Sequence, residues 1–451
     1  MTIVCCELGP GSGSYSQHPN SWSIAATGDL LGDFIDSADG HTLALWDLVR
    51  SADHAFFNME GQVFCDADFE GYPASENGAD NGWGGVGWGP SYEPGQAHLL
   101  ASAGFNLASL ANNHVWDYEA LGMTTTRNNL RHAGIHSAGC GLSLAEAQQA
   151  TYADRNGVRI ALVCAAGSHT PQSVAGPGDE AAFLRPRPGV NVVRASHVTV
   201  LNDSDFSVIR NIAVAQGQDI ARLDTDVTLH TGQHSLFWSR WRRGQTTGPP
   251  RLVWDINQSD LDGVKDSIRE ATTKSNGVIF SFHAHESESG TADASVPLPI
   301  ASTAPASYVI TVSKAAIDSG ASTVIVHGPH HLRGIEIYKG RPIFYGIGHL
   351  TYSLGRSFRG YELPIEWDDG MIASINFKAG VLSNVMLQPT IHSQLSDGEK
   401  KLKSDAMPKI APVGEARRIL EHLRKVSSQF GTAIKIEQQG KTCIGVVDLT
   451  N

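Results

Sequence analysis

The sequence has no long apolar run, few cysteines and no long basic run, and each absence excludes a class of protein. No stretch of about 18 consecutive apolar residues occurs, so no segment is expected to span a membrane. Lys and Arg total 34 against 46 Asp and Glu, which gives a formal net charge of −12. Because binding to a phosphate backbone requires clustered basic residues, we expect neither a nucleic-acid nor a membrane partner.

The six cysteines form neither a Cys-x-x-Cys pair nor a dense framework. In a chain of 451 residues this pattern is typical of reduced thiols. Residues 1–22 are rich in Gly and Ser and lack the basic and apolar segments of a secretory signal. We therefore expect a cytoplasmic protein with a flexible tail over 1–22. Cys5 and Cys6 could form a metal or redox site, although a frayed tail is the simpler interpretation.

The composition, with 41% hydrophobic and 18% charged residues, is typical of a globular protein with a large core. Alternating apolar runs and helical patterns predict an α/β domain over 23–394. The pattern weakens over 170–262, which we interpret as an insertion or cap. Residues 395–451 begin with a Lys-rich linker and predict a helix over 414–430, followed by a small β-hairpin.

Side chains that commonly bind metals follow five predicted strands. They are Asp29, Asn58 with Glu60, Asn113 with His114, His283 with His285 and Glu286, and His327 with His330. Because ligands collect at the carboxyl ends of strands in α/β sheets, we expect these side chains to converge. Carboxylates, amides and imidazoles suit Zn, Mn or Fe-type ions rather than thiolate-selective metals. The sequence therefore predicts one or two divalent transition metal ions per chain.

Each motif also has a purely structural explanation. Asp29 could cap a helix, Glu60 could form a buried salt bridge, and Asn113 could favour a turn. The histidine pairs 283/285 and 327/330 are harder to explain, because a core has little use for four histidines. Five such sites in one chain favour a metal centre over five independent coincidences.

In their order along the chain, these motifs resemble those of the capsule/poly-γ-glutamate synthesis protein family, called CapA-like. The matching segments are Ala-Thr-Gly-Asp at 26–29, Asn-Met-Glu at 58–60, Ser-Leu-Ala-Asn-Asn-His at 109–114 with Asp117, Ser-Phe-His-Ala-His-Glu at 281–286, and His-Gly-Pro-His at 327–330 with 333–348. The resemblance covers roughly residues 22–380. It implies a calcineurin-like metallophosphoesterase fold, with a β-sandwich core flanked by helices. The insertion and a small C-terminal α/β appendage would be additions to that core.

The resemblance also implies a role for each candidate residue. The metal ligands would be Asp29, Glu60, Asn113, His283, His327 and His330, with Glu60 as the bridging carboxylate. His114 would protonate the leaving group, and Asp117 would orient its ring. His285 and Glu286 would act in an outer shell, in proton transfer, or as an extra ligand.

Four positions depart from the pattern. His349-Leu350 stands where the family usually has Asn-Phe, and Val326 replaces a common Gly. Leu31 stands where metallophosphoesterases normally have a His in the first metal site, so one metal site is expected to be weaker or differently built. The Trp-rich segment 80–92 and the aromatic, basic cluster at 237–243 could wall the pocket, or could simply pack as long loops.

Two functions of different classes are compatible with these residues. The first is a metal-dependent hydrolase acting on an amide, ester or phosphoester of a small molecule or peptide. The second is an accessory component of poly-γ-glutamate or capsule biosynthesis without hydrolytic activity. The complete ligand set favours the hydrolase. The sequence leaves the oligomeric state open.

Overall fold

The computed structural model describes residues 21–37, 39–71, 73, 90–179, 181–215, 217, 226–229, 239–244, 250–288, 302–352, 357–358, 361–362, 364–392 and 406–449. Almost all of the predicted tail, most of the Trp-rich segment 80–92, and residues 237 and 238 lie outside the described residues. The same holds for Cys5, Cys6 and most of the predicted linker. The four cysteines within the described residues, Cys65, Cys140, Cys164 and Cys443, are free thiols.

Within these residues the α-helices are α1 (Gly40–Ser51), α2 (Gly95–Ala103), α3 (Glu119–His132), α4 (Leu144–Gln148), α5 (Asp203–Ala215), α6 (Gln258–Thr272), α7 (Ser307–Asp318) and α8 (Val413–Ser428). The strands are β1 (Ser21–Leu31), β2 (His54–Met59), β3 (Gln62–Val63), β4 (Ser91–Tyr92), β5 (Leu107–Ser109), β6 (His136–Ala138), β7 (Cys140–Gly141), β8 (Thr151–Arg155), β9 (Val158–Ala166), β10 (Gly189–Val190), β11 (Ala195–Leu201), β12 (Asp226–Leu229), β13 (Ser239–Arg243), β14 (Arg251–Ile256), β15 (Gly277–His283), β16 (Thr323–His327), β17 (Ile335–Tyr338), β18 (Arg341–Phe344), β19 (His349–Tyr352), β20 (Ser357–Phe358), β21 (Tyr361–Glu362), β22 (Asp369–Lys378), β23 (Val381–Ile391), β24 (Lys409–Ile410), β25 (Ile434–Gln439) and β26 (Thr442–Val447).

Two large mixed sheets form the centre of the fold. The first has ten strands in the order β25-β26-β23-β22-β19-β1-β2-β5-β6, with β24 paired to β23. The second has six strands in the order β17-β18-β16-β15-β9-β8. The strands that carry the candidate site residues are β1, β2 and β5 in one sheet and β15 and β16 in the other. Within each sheet these strands pair with one another in parallel.

The alternation of side chains along the strands shows how the two sheets pack. On β15, Ile279 joins the same buried core as Ile24 of β1, so it faces the first sheet. Its neighbours Val278 and Phe280 belong to a second core, which contains residues of α6 and α7. Because side chains alternate with a period of two, His283 at the end of β15 faces the first sheet together with Ile279.

Helices cover the outer faces of both sheets. On β2, Phe56 approaches His327 of the second sheet, while Phe57 packs against Phe105, which in turn contacts Trp46 of α1. Helices α6 and α7 cover the second sheet through its outer core. The predicted fold class, an α/β protein with a β-sandwich core flanked by helices, is confirmed.

A separate four-stranded sheet, β12-β13-β11-β14, lies within the predicted insertion at 170–262. With α5 it has a small core of its own, built on Leu201 and Phe206, against which Trp241 packs. Arg242 of the aromatic, basic cluster forms an ion pair with Asp255, at 2.9 Å. Trp241 and Arg242 therefore stabilise the insertion itself, in agreement with the packing interpretation of this cluster.

The C-terminal helix and hairpin are present as α8, β25 and β26. Strand β26 pairs with β23, so the hairpin continues the ten-stranded sheet. Strand β23 was not predicted, because its first half is largely exposed and Ser383, Asn384 and Gln388 dilute its apolar pattern. None of the described helices combines the length and the apolar character that a membrane span requires.

Candidate metal centre

The ends of strands from both sheets meet at one place. Asp29 lies near the end of β1, and Glu60 directly follows the parallel strand β2. His283 and His327 end β15 and β16 and face each other in the parallel register of those strands. All four residues are fully buried. The structure thus brings together side chains that are as far as 298 positions apart in the sequence.

Three groups of side chains could each hold a metal ion, because the ligand atoms within each group lie within 4.8 Å of one another. The groups are Asp29–His283–His327, Asp29–His330–His349 and Glu60–His285–His330. We call these seven residues the histidine–carboxylate centre. Asp29 and His330 each belong to two of the groups, and Glu60 belongs to one.

Imidazole nitrogens approach one another closely in the centre. His283 Nδ1 lies 3.0 Å from His327 Nδ1, and His283 Nε2 lies 2.9 Å from His285 Nε2. His327 Nε2 lies 2.6 Å from Ser281 Oγ on the neighbouring strand. Several buried nitrogens that converge in this way, together with carboxylates, form the donor set expected for a borderline divalent ion.

The turn after β16 places His330 between the two carboxylates. His330 Nδ1 is 3.1 Å from Asp29 Oδ2, and His330 Nε2 is 3.6 Å from Glu60 Oε1. His330 has a φ of 61°, a conformation that is uncommon outside glycine. Gly328, at φ +104°, could not carry a side chain, because a Cβ would lie 2.9 Å from His283 Cε1. The His-Gly-Pro-His sequence thus provides a strained turn that fits against the centre.

Asp29 is also held by two hydrogen bonds. Asn58 Nδ2 donates to Asp29 Oδ1 at 2.8 Å, and the backbone N–H of Gly328 donates to Asp29 Oδ2 at 3.1 Å. Burial by itself raises the pKa of Asp29, but the hydrogen bond and charge of His330, with the charges of His327 and His283, hold that pKa well below its usual range. Asp29 is therefore ionised at neutral pH.

Burial has the opposite effect on the histidines. It lowers the pKa of His283, His285 and His349 well below the usual range, and it lowers the pKa of His327 to about 4. These imidazoles are therefore neutral at pH 7. Neutral imidazoles and an ionised carboxylate are the protonation states in which these side chains bind metal ions.

His114 and Asp117 form a pair beside the centre. His114 Nδ1 donates to Asp117 Oδ2 at 2.8 Å, and both residues are buried. Asn112 supports the turn, because its Oδ1 accepts from the His114 N–H at 3.1 Å and its Nδ2 donates to the Met59 carbonyl at 2.8 Å. Asn113 lies buried in the same turn. A histidine oriented by a carboxylate is an arrangement suited to proton transfer.

Glu286 belongs to none of the three groups. Its Oε2 accepts hydrogen bonds from Ser168 Oγ at 2.9 Å and from Tyr308 OH at 2.6 Å. Ser168 Oγ in turn accepts from the backbone N–H of His285 at 2.8 Å. The carboxylate of Glu286 thus fixes the loop that carries His285, which corresponds to the outer-shell alternative among the roles predicted for it.

Sequence reasoning gave no role to Arg333 and His349. Arg333 is fully buried and donates to the carbonyls of His285 at 2.9 Å and Glu286 at 3.0 Å, and burial lowers its pKa to about 10. His349 is the first residue of β19 and is also buried. For His349 the sequence did hold a signal, since this histidine replaces the usual Asn of a motif.

The sequence matches the family described as bacterial capsule synthesis protein PGA_cap over residues 23–352. An uncharacterized protein of Sinorhizobium fredii is 30% identical in an alignment that covers 91% of each chain. A probable polyglutamine synthesis accessory protein of Mycobacterium tuberculosis is 27% identical over 57% of this chain and 48% of its own length. Among solved structures, a phosphatase from Mycoplasma pneumoniae has a TM-score of 0.38 and 11% identity, covering 83% of this chain and 95% of that chain.

Proposed function

The chain belongs to the PGA_cap family of bacterial capsule synthesis proteins, and we propose that it is a metal-dependent hydrolase whose ions bind in the histidine–carboxylate centre. One observation carries the proposal, namely the three overlapping groups of buried ligand atoms. The anionic state of Asp29 and the neutral state of the histidines fit a divalent transition ion without any change of protonation.

In the proposed reaction, the bound ions, the proton donor and the residues that position the ligands have separate roles. The bound ions would supply Lewis acidity that polarises the substrate and activates water for attack. His114 donates a proton to the leaving group, and Asp117 holds the imidazole ring through Nδ1 so that Nε2 is the donating atom. Asn58, Gly328 and the Ser168–Glu286 contact keep the ligands in place.

The substrate we propose is an amide, ester or phosphoester of a small molecule or peptide. Attack on a carbonyl and attack on a phosphoryl group need the same components, a polarised oxygen, activated water and a proton donor. The resemblance of the sequence motifs to the poly-γ-glutamate synthesis proteins makes γ-glutamyl amides the first compounds to test.

The test is elemental analysis of protein purified without chelators, followed by a screen of phosphoesters, carboxylic esters and γ-glutamyl amides. We expect at least one transition metal ion per chain. We also expect turnover of one substrate class, which a chelator abolishes and the returned metal restores. Folded protein that is active without metal would contradict the proposal.

A role as an accessory component of polyglutamate or capsule assembly is the second candidate. The name of the M. tuberculosis relative supports it, although the match covers about half of that protein. Protein that contains metal but turns over none of the three substrate classes would favour this role. Turnover that is lost in His114→Ala would favour the hydrolase.

A further inference from the structure

We propose that His349 is a direct ligand of a metal ion held together with Asp29 and His330. The inference rests on the proposed function, because the ion belongs to the same centre. It adds a third imidazole-bearing strand, β19, to a centre whose other imidazoles come from β15, β16 and the segments that follow them.

The backbone places His349 beside Asp29. Strands β1 and β19 are parallel neighbours, and Asp29 is the register partner of His349. The Asp29 N–H donates to the Gly348 carbonyl at 3.1 Å. This approach requires the glycine at position 28, because a Cβ on Gly28 would lie 1.7 Å from that carbonyl oxygen. Side chains at paired positions of neighbouring strands point to the same face of the sheet.

The ring nitrogens of His349 supply the second observation. The residue is 1% exposed, and neither Nδ1 nor Nε2 makes a hydrogen bond of normal geometry among the described residues; the Trp367 backbone is near enough only to raise the pKa of the ring against the effect of burial. His392, a buried histidine at 5.8 Å from His349, instead places its two ring nitrogens 3.2 Å from the carbonyls of Asp368 and Leu350. An unsatisfied buried polar atom lowers the stability of the folded protein. A metal ion bound by a ring nitrogen of His349 would therefore remove part of this loss.

Aromatic contacts fix the plane of the His349 ring. It stacks on Tyr352 with ring centroids 4.1 Å apart and an interplanar angle of 21°, and on His330 at 5.3 Å and 17°. Ring packing alone would be met equally well by phenylalanine. The substitution His349→Phe therefore separates the two roles, since it keeps the stack and removes the nitrogens.

With His349 as a ligand, the group Asp29–His330–His349 offers the metal ion two imidazole nitrogens and one carboxylate oxygen. Nitrogen donors favour zinc-type ions over Mg²⁺ and other hard cations, which prefer oxygen. We therefore expect this position to be selective for Zn²⁺ over Mg²⁺.

The experiment is a competition titration of metal-stripped protein with Zn²⁺ against a chromophoric chelator. Wild type, His349→Phe, His349→Asn and the control Tyr352→Phe are compared. The control keeps the ring that stacks on His349 and removes only the Tyr352 hydroxyl, which accepts a hydrogen bond from Trp367 Nε1. Loss of an outer-shell partner weakens metal binding roughly 10–100-fold, so loss of a true ligand should exceed about 100-fold. We expect that loss for one ion in His349→Phe, an intermediate loss in His349→Asn, and wild-type binding in the control.

Thermal unfolding of the metal-stripped proteins completes the test. We expect His349→Phe to unfold at the wild-type temperature or higher, because it removes unsatisfied nitrogens and retains the stack. A loss of Zn²⁺ affinity of less than about 100-fold, or equal affinities for His349→Phe and His349→Asn, would overturn the assignment of His349. If wild type binds no Zn²⁺ and also contains no transition metal ion when it is purified without chelators, the proposed function fails as well; if wild type and His349→Phe bind Zn²⁺ alike, only this inference fails.

Discussion

The hydrogen bond between His114 and Asp117 involves none of the seven residues of the histidine–carboxylate centre. Both residues are buried next to the histidine–carboxylate centre, but neither belongs to a group of candidate ligands. Their hydrogen bond through Nδ1 fixes the ring of His114 without involving the candidate metal ligands. In the proposed hydrolase, proton transfer and metal binding would therefore be separable by substitution.

We expect His114→Ala to lower kcat by about 10²–10⁴-fold, the usual contribution of a general acid, while the metal content stays at the wild-type level. The measurement pairs steady-state kinetics on the substrate found in the screen with elemental analysis. Glu60→Ala serves as the contrast, since Glu60 is a candidate ligand and its loss should lower both turnover and metal content. Wild-type turnover in His114→Ala would show that another group supplies the proton.

At the scale of the elements, the strand ends were predictable because each apolar run stops at a polar ligand. Strands β15 and β16 are buried along their whole length and end directly at His283 and His327, so a sequence pattern locates both residues. The pairing of strands cannot be read in the same way. His349 begins a strand of only four residues, and its partner Asp29 lies 320 positions earlier.

The hydrogen bonds of Arg333 that support the centre could not be predicted from the sequence either, because they also join positions far apart in the chain. Arg333 acts through the carbonyls of His285 and Glu286, which lie nearly 50 positions before it. Backbone carbonyls are present at every position, so no residue pattern marks the ones that accept a hydrogen bond. Only the folded backbone shows that this buried guanidinium holds the loop after β15.

The close approach of β1 and β19 leads to a prediction about Gly28. We expect Gly28→Ala to destabilise the protein by at least the ~1–3 kcal/mol typical of overpacking, because the new Cβ would lie 1.7 Å from a backbone oxygen. It should also weaken metal binding, since it separates Asp29 from His349. Gly40→Ala is the matched control, because a Cβ at this first residue of α1 would meet no atom within 4 Å. Urea denaturation and the Zn²⁺ titration measure the two effects; equal behaviour of the two variants would contradict this account.

At the scale of the whole molecule, the centre is a joint between the two sheets. Asp29, Glu60 and His349 belong to the first sheet or follow its strands, whereas His283 and His327 end strands of the second sheet. An ion bound by Asp29, His283 and His327 would therefore link the two layers of the sandwich. Ligands that bind only the native state stabilise it, so metal binding and the stability of the fold are coupled.

The same joint makes the metal-free protein sensitive to acid. Burial lowers the pKa of His327 from 6.5 to about 4 and lowers the pKa of His283 well below its usual range. Below pH 6.5 the unfolded chain therefore takes up protons that the native chain excludes. As the pH is lowered, the free energy of unfolding decreases until the native histidines also bind protons. For His327 alone the loss between about pH 6.5 and pH 4 corresponds to about 3 kcal/mol.

Urea denaturation of chelator-treated protein between pH 7 and pH 4.5 measures this dependence. We expect the free energy of unfolding to decrease steadily toward the acid end, and to decrease less steeply in His327→Phe, which has no imidazole to protonate in either state. His98→Ala, on the exposed side of α2, is the control and should follow wild type. Equal slopes for wild type and His327→Phe would mean that the buried imidazole at the joint of the two sheets is not what limits stability in acid.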